Sequence, residues 1–498
     1  MRFAARVAVP CLLTAALLAS AAVAQQNDAP PAALLYAISE ASGAPFALHV
    51  VSRERFGSNA GAVELHSEQQ WPRRLVRRCE RALCAGTYYD GSRSFDTNIN
   101  DTALPAPRKS DPFRASLDAL ASYAFLAPDF ARLGGRLRYL PRGPFGVASL
   151  VVTGPGGVPL AVRLDANSLV SEARTLDGSH RINLRDYRTV GEARLPFEID
   201  VDGALFETFS ARIVVPEVLQ RPAGLVATIP DGVSTTAMLR PDMPSTAPVI
   251  DCSMGGERLA CLLDTGNSGM SMSLELAERL GIEPVDEPFG IRGIGSYVTG
   301  VVKAPPLHVG NATFPGAFYS ILHDLRRYGY DLVIGTDAIA HERVTIDYPR
   351  RQVTFANAGA DVSPEYALPL TFRQFLPIVS LGIGGTDIPV MLDTGDESTI
   401  NLAFTYYQAH PDIFQTTSKG RASGVGGSAE VVSGEIPSAR IGRFTIARPH
   451  ISATRNLAPV GDGHAGSGLL AHFSITLDYT HERLELSPRP GDAAVSVR

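Results

Sequence analysis

After its first two dozen residues the chain lacks any apolar run of the roughly 20 residues that a bilayer crossing needs, so no later membrane span is expected. Its eleven histidines form no HExxH or comparable cluster, and its cysteines form no paired CxxC, so no metal site is expected and no cofactor is called for. Charge is sparse as well: Asp, Glu, Lys and Arg make up 19% of the residues and the formal net charge is -6, which leaves no basic footprint for nucleic acid. What the 498 residues do have is apolar material, 45% of the total, enough for several packed cores and about two to four domains.

The one early apolar run reads as an address. Arg2 and Arg6 give a positive start, residues 7–18 are mostly apolar, and Ala22-Val23-Ala24 is a small-x-small cleavage site, so residues 1–24 are expected to be a signal peptide and Gln25 the mature N-terminus. Cys11 sits inside the apolar run, which does not fit a lipoprotein signal. A periplasmic or secreted product is the expectation. Four further cysteines fall as two sequence-close pairs, Cys79 with Cys84 and Cys252 with Cys261, and two local disulfides suit an oxidising compartment. A hairpin turn centred on Gly256-Glu257 would set Cys252 and Cys261 face to face.

Residues 25–216 carry one early predicted helix and then many short alternating runs, such as 148–153, 160–164 and 197–201, separated by turns such as Gly154-Pro155-Gly156-Gly157. An antiparallel β domain is expected there. Residues 217–247, rich in Pro, Ser and Thr, suit a linker or embracing arm.

The remainder repeats itself. Residues of about 248–360 hold Leu262-Leu263-Asp264-Thr265-Gly266, Gly293-Ile294-Gly295, Ile334-Gly335 and Asp347-Tyr348. Residues of about 361–490 hold Met391-Leu392-Asp393-Thr394-Gly395, Gly424-Val425-Gly426, Ala465-Gly466 and Asp478-Tyr479, before a tail over 491–498. The spacings nearly coincide: Asp264 precedes Gly335 by 71 residues, and Asp393 precedes Gly466 by 73. Each copy is expected to form a β-hairpin up to its Asp, a turn at Thr-Gly, and a short helix, capped by Ser273 and ended by Gly281 in copy one and lying near 402–408 in copy two.

Two carboxylates that share one proton and hold a water between them can hydrolyse a peptide bond without a metal or a Ser or Cys nucleophile, because close carboxylates cannot both ionise cheaply. One copy supplies one Asp, so a pseudo-two-fold pair of lobes that brings Asp264 and Asp393 together gives the duplication a chemical reason. Gly266 and Gly395 would permit tight turns behind the carboxylates, and the hydroxyls of Thr265 and Thr394 could tie the turns together.

These motifs resemble the bacterial retropepsin-like aspartyl protease family over about half the chain. The resemblance implies a mainly β fold with two tandem acid-protease β-barrel lobes, a catalytic Asp264 and Asp393, and flaps over the substrate formed by Gly293, Ile294 and Gly295 with Tyr297, and by Gly424, Val425 and Gly426. It also implies an aspartic endopeptidase acting on a peptide or protein substrate, as a monomer with intramolecular lobe pairing. The region before the linker resembles the half-barrel of periplasmic lipoprotein carriers through Tyr89-Asp90-Gly91, residues 162–165, Asp186-Tyr187-Arg188 and residues 191–196, implying a curved sheet that binds an apolar chain, steers substrate, or serves only packing. The sequence departs from the family after Asp-Thr-Gly, where Ala or Ser is usual and Asn267 and Asp396 stand here; Asp396 is expected to point outward and solvate a helix start. A different class, a non-catalytic periplasmic peptide- or lipid-binding protein that keeps the fold, is the alternative, and pairing of each lobe with its twin in another molecule is a third arrangement.

Overall fold

A computed structural model of the chain describes residues 29–56, 63–106, 111–230, 232–243, 246–358, 366–415, 417–457 and 460–497. The expected signal peptide with its cleavage site, and most of the 357–367 link between the two repeats, lie outside the described residues. The fold is mainly β and divides into two compact units, one of residues 1–79, 86–94 and 108–221, the other of residues 80–85, 95–107 and 222–498. Among the described residues no helix is long and apolar enough to cross a membrane. Both expected cysteine pairs are disulfide-bonded.

The first unit is built on an antiparallel meander running from Arg136–Leu140 through Ser149–Thr153, Pro159–Leu164, Val170–Thr175, Arg181–Val190 and Ala193–Val201 to Ala204–Val215, which pairs with the early strand His49–Phe56. The helix Pro112–Ala121 starts where Asp111 accepts a hydrogen bond from the Phe113 N–H and Pro112 supplies a pre-set φ. It buries Leu117 and Leu120 against Leu150, Val152, Leu160 and Val162 of the sheet. An ionic network completes this interior: Arg114 pairs with Asp118 and with the buried Glu207, and Arg74 pairs with Asp118 and Glu54. This inner face is therefore occupied by the protein's own helix and charges.

The second unit holds two β lobes of matching topology. In the first, strands run across the sheet in the order Pro284–Arg292, Ser296–Ala304, Ala317–Leu322, Ser271–Ser273, Leu332–Ile334, Glu257–Leu263, Val249–Met254, Leu307–Val309 and Ala312–Phe314. The second repeats this order with Ser418–Gly424, Gly427–Glu435, His450–Thr454, Ile400–Ala403, Gly463–Gly466, Thr386–Asp393, Leu376–Ile383, Ser438–Ile441 and Phe444–Ala447. A six-stranded sheet joins them, with Glu342–Asp347 and Phe473–Asp478 antiparallel at its centre. Thr345 and Thr476 face each other there with hydroxyls 2.8 Å apart, and the register is symmetric about that pair. An approximate two-fold axis passes through it.

Alternation explains the strand that leads to Asp264. Leu259, Cys261 and Leu263 enter the main core, while Ala260 and Leu262 enter a second cluster with Leu322, Val333 and Tyr330, so the strand is apolar on both faces. The hairpin turn lies at Gly255-Gly256, both at positive φ, and not at Gly256-Glu257. Cys252 therefore pairs with Leu259 and Cys261 with Ile250, and the disulfide joins the two cysteines across a diagonal, at a Cα separation of 6.0 Å. Within the arm region, Ser234–Met238 is an edge strand on Gln352–Asn357.

Residues 95–107 contribute to this unit in a way that no sequence signal marked. Asn98 and Asn100 donate to the fully buried carboxylate of Asp337, and Asn100 also exchanges two hydrogen bonds with the backbone of Phe318 at 2.8 and 2.9 Å. Asp337→Ala should leave these amides without their acceptor in a buried setting and cost about 2–4 kcal/mol, read as a lower midpoint in urea unfolding of the full chain.

Candidate active site

Each Asp-Thr-Gly turn is fixed by the strand it ends. The N–H of Asp264 donates to Ile334 O at 2.9 Å, and the N–H of Gly266 closes back on Asp264 Oδ1 at 2.7 Å. The second turn copies this, with the Gly395 and Asp396 N–H groups on Asp393 Oδ1 at 3.0 and 3.1 Å. Behind each turn stands the hydrophobic-Gly element. A Cβ at Gly335 would lie 1.9 Å from Gly269 O, and one at Gly466 would lie 2.1 Å from Ser398 O, so only glycine lets the backbones close here.

The two turns grip each other. Thr265 Oγ1 donates to Leu392 O at 2.6 Å and accepts from the Thr394 N–H at 3.0 Å; Thr394 Oγ1 donates to Leu263 O at 2.7 Å and accepts from the Thr265 N–H at 3.0 Å. This sets each carboxylate against the glycine of the other lobe. A Cβ on Gly266 would meet Asp393 Oδ1 at 2.4 Å, and one on Gly395 would meet Asp264 Cγ at 2.5 Å. Each carboxyl thus packs on the opposite lobe's Asp-Thr-Gly turn. Burial and then the charge of Asp393 push Asp264 well above the usual carboxylate range, against the opposing N–H bonds of Gly266 and Gly395.

Two hairpins close over the axis. Their tips are Gly293-Ile294-Gly295 and Gly424-Val425-Gly426, and they touch: the Gly295 N–H donates to Val425 O at 3.2 Å, and a Cβ on Gly295 would lie 2.0 Å from Gly426 O. Tyr297 lies lower on its hairpin, its ring 5.5 Å from that of His323 and packed with Ile291 and Val425 on the second apolar cluster.

Asp396 does not point outward as expected. Its side chain is 16% exposed, its Oδ2 lies 3.1 Å from His464 Nδ1 and accepts from Asn401, and its Oδ1 accepts the Ser398 N–H. Burial would raise its pKa, but the bond and charge of His464, with the bonds from Ser398, outweigh this and bring it to about 2. The reason is His464, which stands at Val333's place in the repeat. His464 Nδ1 is also 3.2 Å from Asp393 Oδ2. Burial opposes its proton, yet the hydrogen bonds and charges of Asp393 and Asp396 raise it to about 10. Its Nε2 is buried without a partner, costing about 1–3 kcal/mol if protonated. Contacts with two carboxyl groups near 3 Å offset that cost. Comparing the copies position by position was the signal that would have found this histidine.

Asp393, Asp396 and His464 gather ligand-type atoms within 4.8 Å of one another, a donor set of the kind that can take a divalent ion. Here the imidazole Nδ1 lies between both carboxylates, 3.2 and 3.1 Å from them, in the arrangement of an ion pair, with Nε2 left unpartnered.

Residues 250–338, which carry the first Asp-Thr-Gly turn, match the family described as Aspartyl protease, and this supports peptidase chemistry. No curated protein matches the chain.

Thr265→Val should remove one acceptor and one donor from a buried pair and cost about 2–4 kcal/mol, with lower activity, whereas Thr265→Ser should retain both; thermal melts and cleavage rates of the two variants test this.

Proposed function

We propose that the protein is an exported aspartic endopeptidase in which one water, held between Asp264 and Asp393, hydrolyses a peptide bond within a cleft under the paired hairpins. The observation that carries this reading is the reciprocal seating of each carboxylate against the opposite lobe's Thr-Gly turn. Such a pair loses one proton easily and the second with difficulty, so one member can act as base while the other acts as acid. The water gives a proton to the ionised carboxylate as its oxygen attacks the scissile carbonyl carbon, and the protonated carboxyl gives its proton to the carbonyl oxygen. The resulting diol collapses as the amine leaves with a proton, without an acyl-enzyme. Gly293, Ile294, Gly295, Gly424, Val425 and Gly426 would open to admit substrate and close to exclude water; Tyr297 supports that hairpin from below. The leader-like sequence and the disulfides favour a periplasmic or secreted site, and the intramolecular grip favours a monomer. The antiparallel first unit is read as the half-barrel-like module, with its filled interior favouring a packing role.

Purified mature chain should cleave a denatured protein substrate, and Asp264→Asn or Asp393→Asn should each lower kcat by roughly 10³-fold with the fold retained. A wild type inert at every pH would move the protein to the binding class. Loss in only one variant would mean that the lobes do not share a site.

The raised pKa of Asp264 has a signed consequence. The folded chain holds that proton more tightly than the unfolded chain, so its contribution to stability is present below the ordinary carboxylate pKa and is lost as pH rises through the raised one. Relative to Asp264→Asn, the wild type should lose thermal stability from acid toward alkaline pH, and its activity should fall over the same upper limb.

A further inference from the structure

The polar groups behind the two catalytic turns differ in charge. In the first lobe Asn267 Nδ2 donates to Ser271 Oγ at 2.9 Å, Ser271 meets Ser320 at 2.8 Å, and Val333 fills the next strand; the ionisable group packed against this turn is the buried Asp337, held by Asn98 and Asn100, and among the described residues no cation pairs with Asp264. In the second lobe the positions matched by strand register are Asp396, Asn401, Ser452 and His464, and an ion pair lies behind Asp393. Asn401 and Thr454, which complete this network, are uncharged. The other titratable groups facing the pair are Asp264 and Asp393 themselves and the buried hydroxyl of Tyr479, on the Asp264 side.

Resting on the peptidase reading above, we propose that His464, anchored by Asp396, is a positioning residue that divides the roles within the pair: Asp393 carries the charge and accepts the water proton, and Asp264 holds the proton that goes to the carbonyl oxygen. The imidazolium reaches only one of the two carboxylates. Its Nδ1–H lies against Asp393 Oδ2, while Asp393 Oδ1 takes the backbone N–H groups of Gly395 and Asp396. Asp264 has the N–H groups of Gly266 and Gly395 and, among the described residues, no cation paired with it. On collapse of the diol, Asp393 returns its proton to the departing nitrogen and Asp264 recovers the one it lent, so the chain ends each turnover in the same protonation state.

The test compares pH profiles of kcat/KM for the full mature chain, its His464→Gln and Asp396→Asn variants, and the double variant His464→Val with Asp396→Asn, which gives the second lobe the first lobe's pattern. His464→Gln and the double variant should move the acidic limb up by about 1–3 pH units, whereas Asp396→Asn, which leaves the cation on Asp393 alone, should not move it up. Profiles lowered at all pH values with the limb unmoved would assign His464 a packing role and overturn the proposal. A readout independent of turnover is the ring ¹⁵N spectrum of His464, identified by its loss in His464→Gln. An imidazolium at pH 7 is expected, unchanged by a chelator. A neutral ring at that pH, or a signal that shifts when a metal is stripped, would overturn the proposal whether or not the chain cleaves anything. An inert wild type with a charged His464 would sink the peptidase reading and keep the charge on Asp393.

Discussion

Two carboxyl groups buried together at a lobe interface repel each other when both ionise, by about 4 kcal/mol at roughly 4 Å for an effective dielectric constant near 20, and the surrounding structure has to hold them there. The Thr265 and Thr394 grip does this with four buried hydrogen bonds that leave neither hydroxyl nor either N–H free. Because each Thr hydroxyl serves the other lobe's backbone, neither turn can relax without unsatisfying its partner. Burial and the charge of Asp393 raise the pKa of Asp264, which favours a shared proton over two charges on the pair.

The same axis is secured at three heights. Thr345 and Thr476 mark it in the central sheet, the Thr-Gly turns mark it at the carboxylates, and Gly295 with Gly426 mark it at the hairpin tips. At every level equivalent or near-equivalent residues of the two copies touch. At two of the levels the contact needs glycine: any Cβ at Gly266, Gly395 or Gly295 would collide with the opposite lobe. The Asp-Thr-Gly motif is therefore an interface motif between the lobes.

The repeat made the two β lobes, the turns and the hydrophobic-Gly elements legible, because each rests on spacing and on residues with few conformational substitutes. The helix after Asp264 was legible for the same reason: Ser273 caps it and Gly281 ends it at positive φ. What could not be read depended on tertiary neighbours. The hairpin register at Cys252 turned on which of two adjacent glycine positions takes the left-handed conformation, and Gly255 with Gly256 does so. Asp396 looked like a solvated helix-start residue because its partner is 68 residues further along the chain. Residues 95–107 gave no sign that Asn98 and Asn100 would serve a buried Asp337, since a short polar segment has no period to betray its contacts.

A duplicated site begins symmetric, and a symmetric carboxyl pair has no reason to prefer one ionised member. Hydrolysis, however, starts from one base and one acid, so half of the singly protonated molecules in a symmetric pair would face a given substrate with the roles reversed. In the proposed arrangement one strand position distinguishes the two members: an imidazole stands where the first lobe has a valine, with an aspartate where it has an asparagine to keep the local charge balanced. The added pair contributes no net charge, since His464 and Asp396 offset each other, so it can bias Asp393 without turning the buried interior into an uncompensated cation. The departure from the family pattern at Asp396 and the unmatched histidine at 464 are thus two halves of a single change.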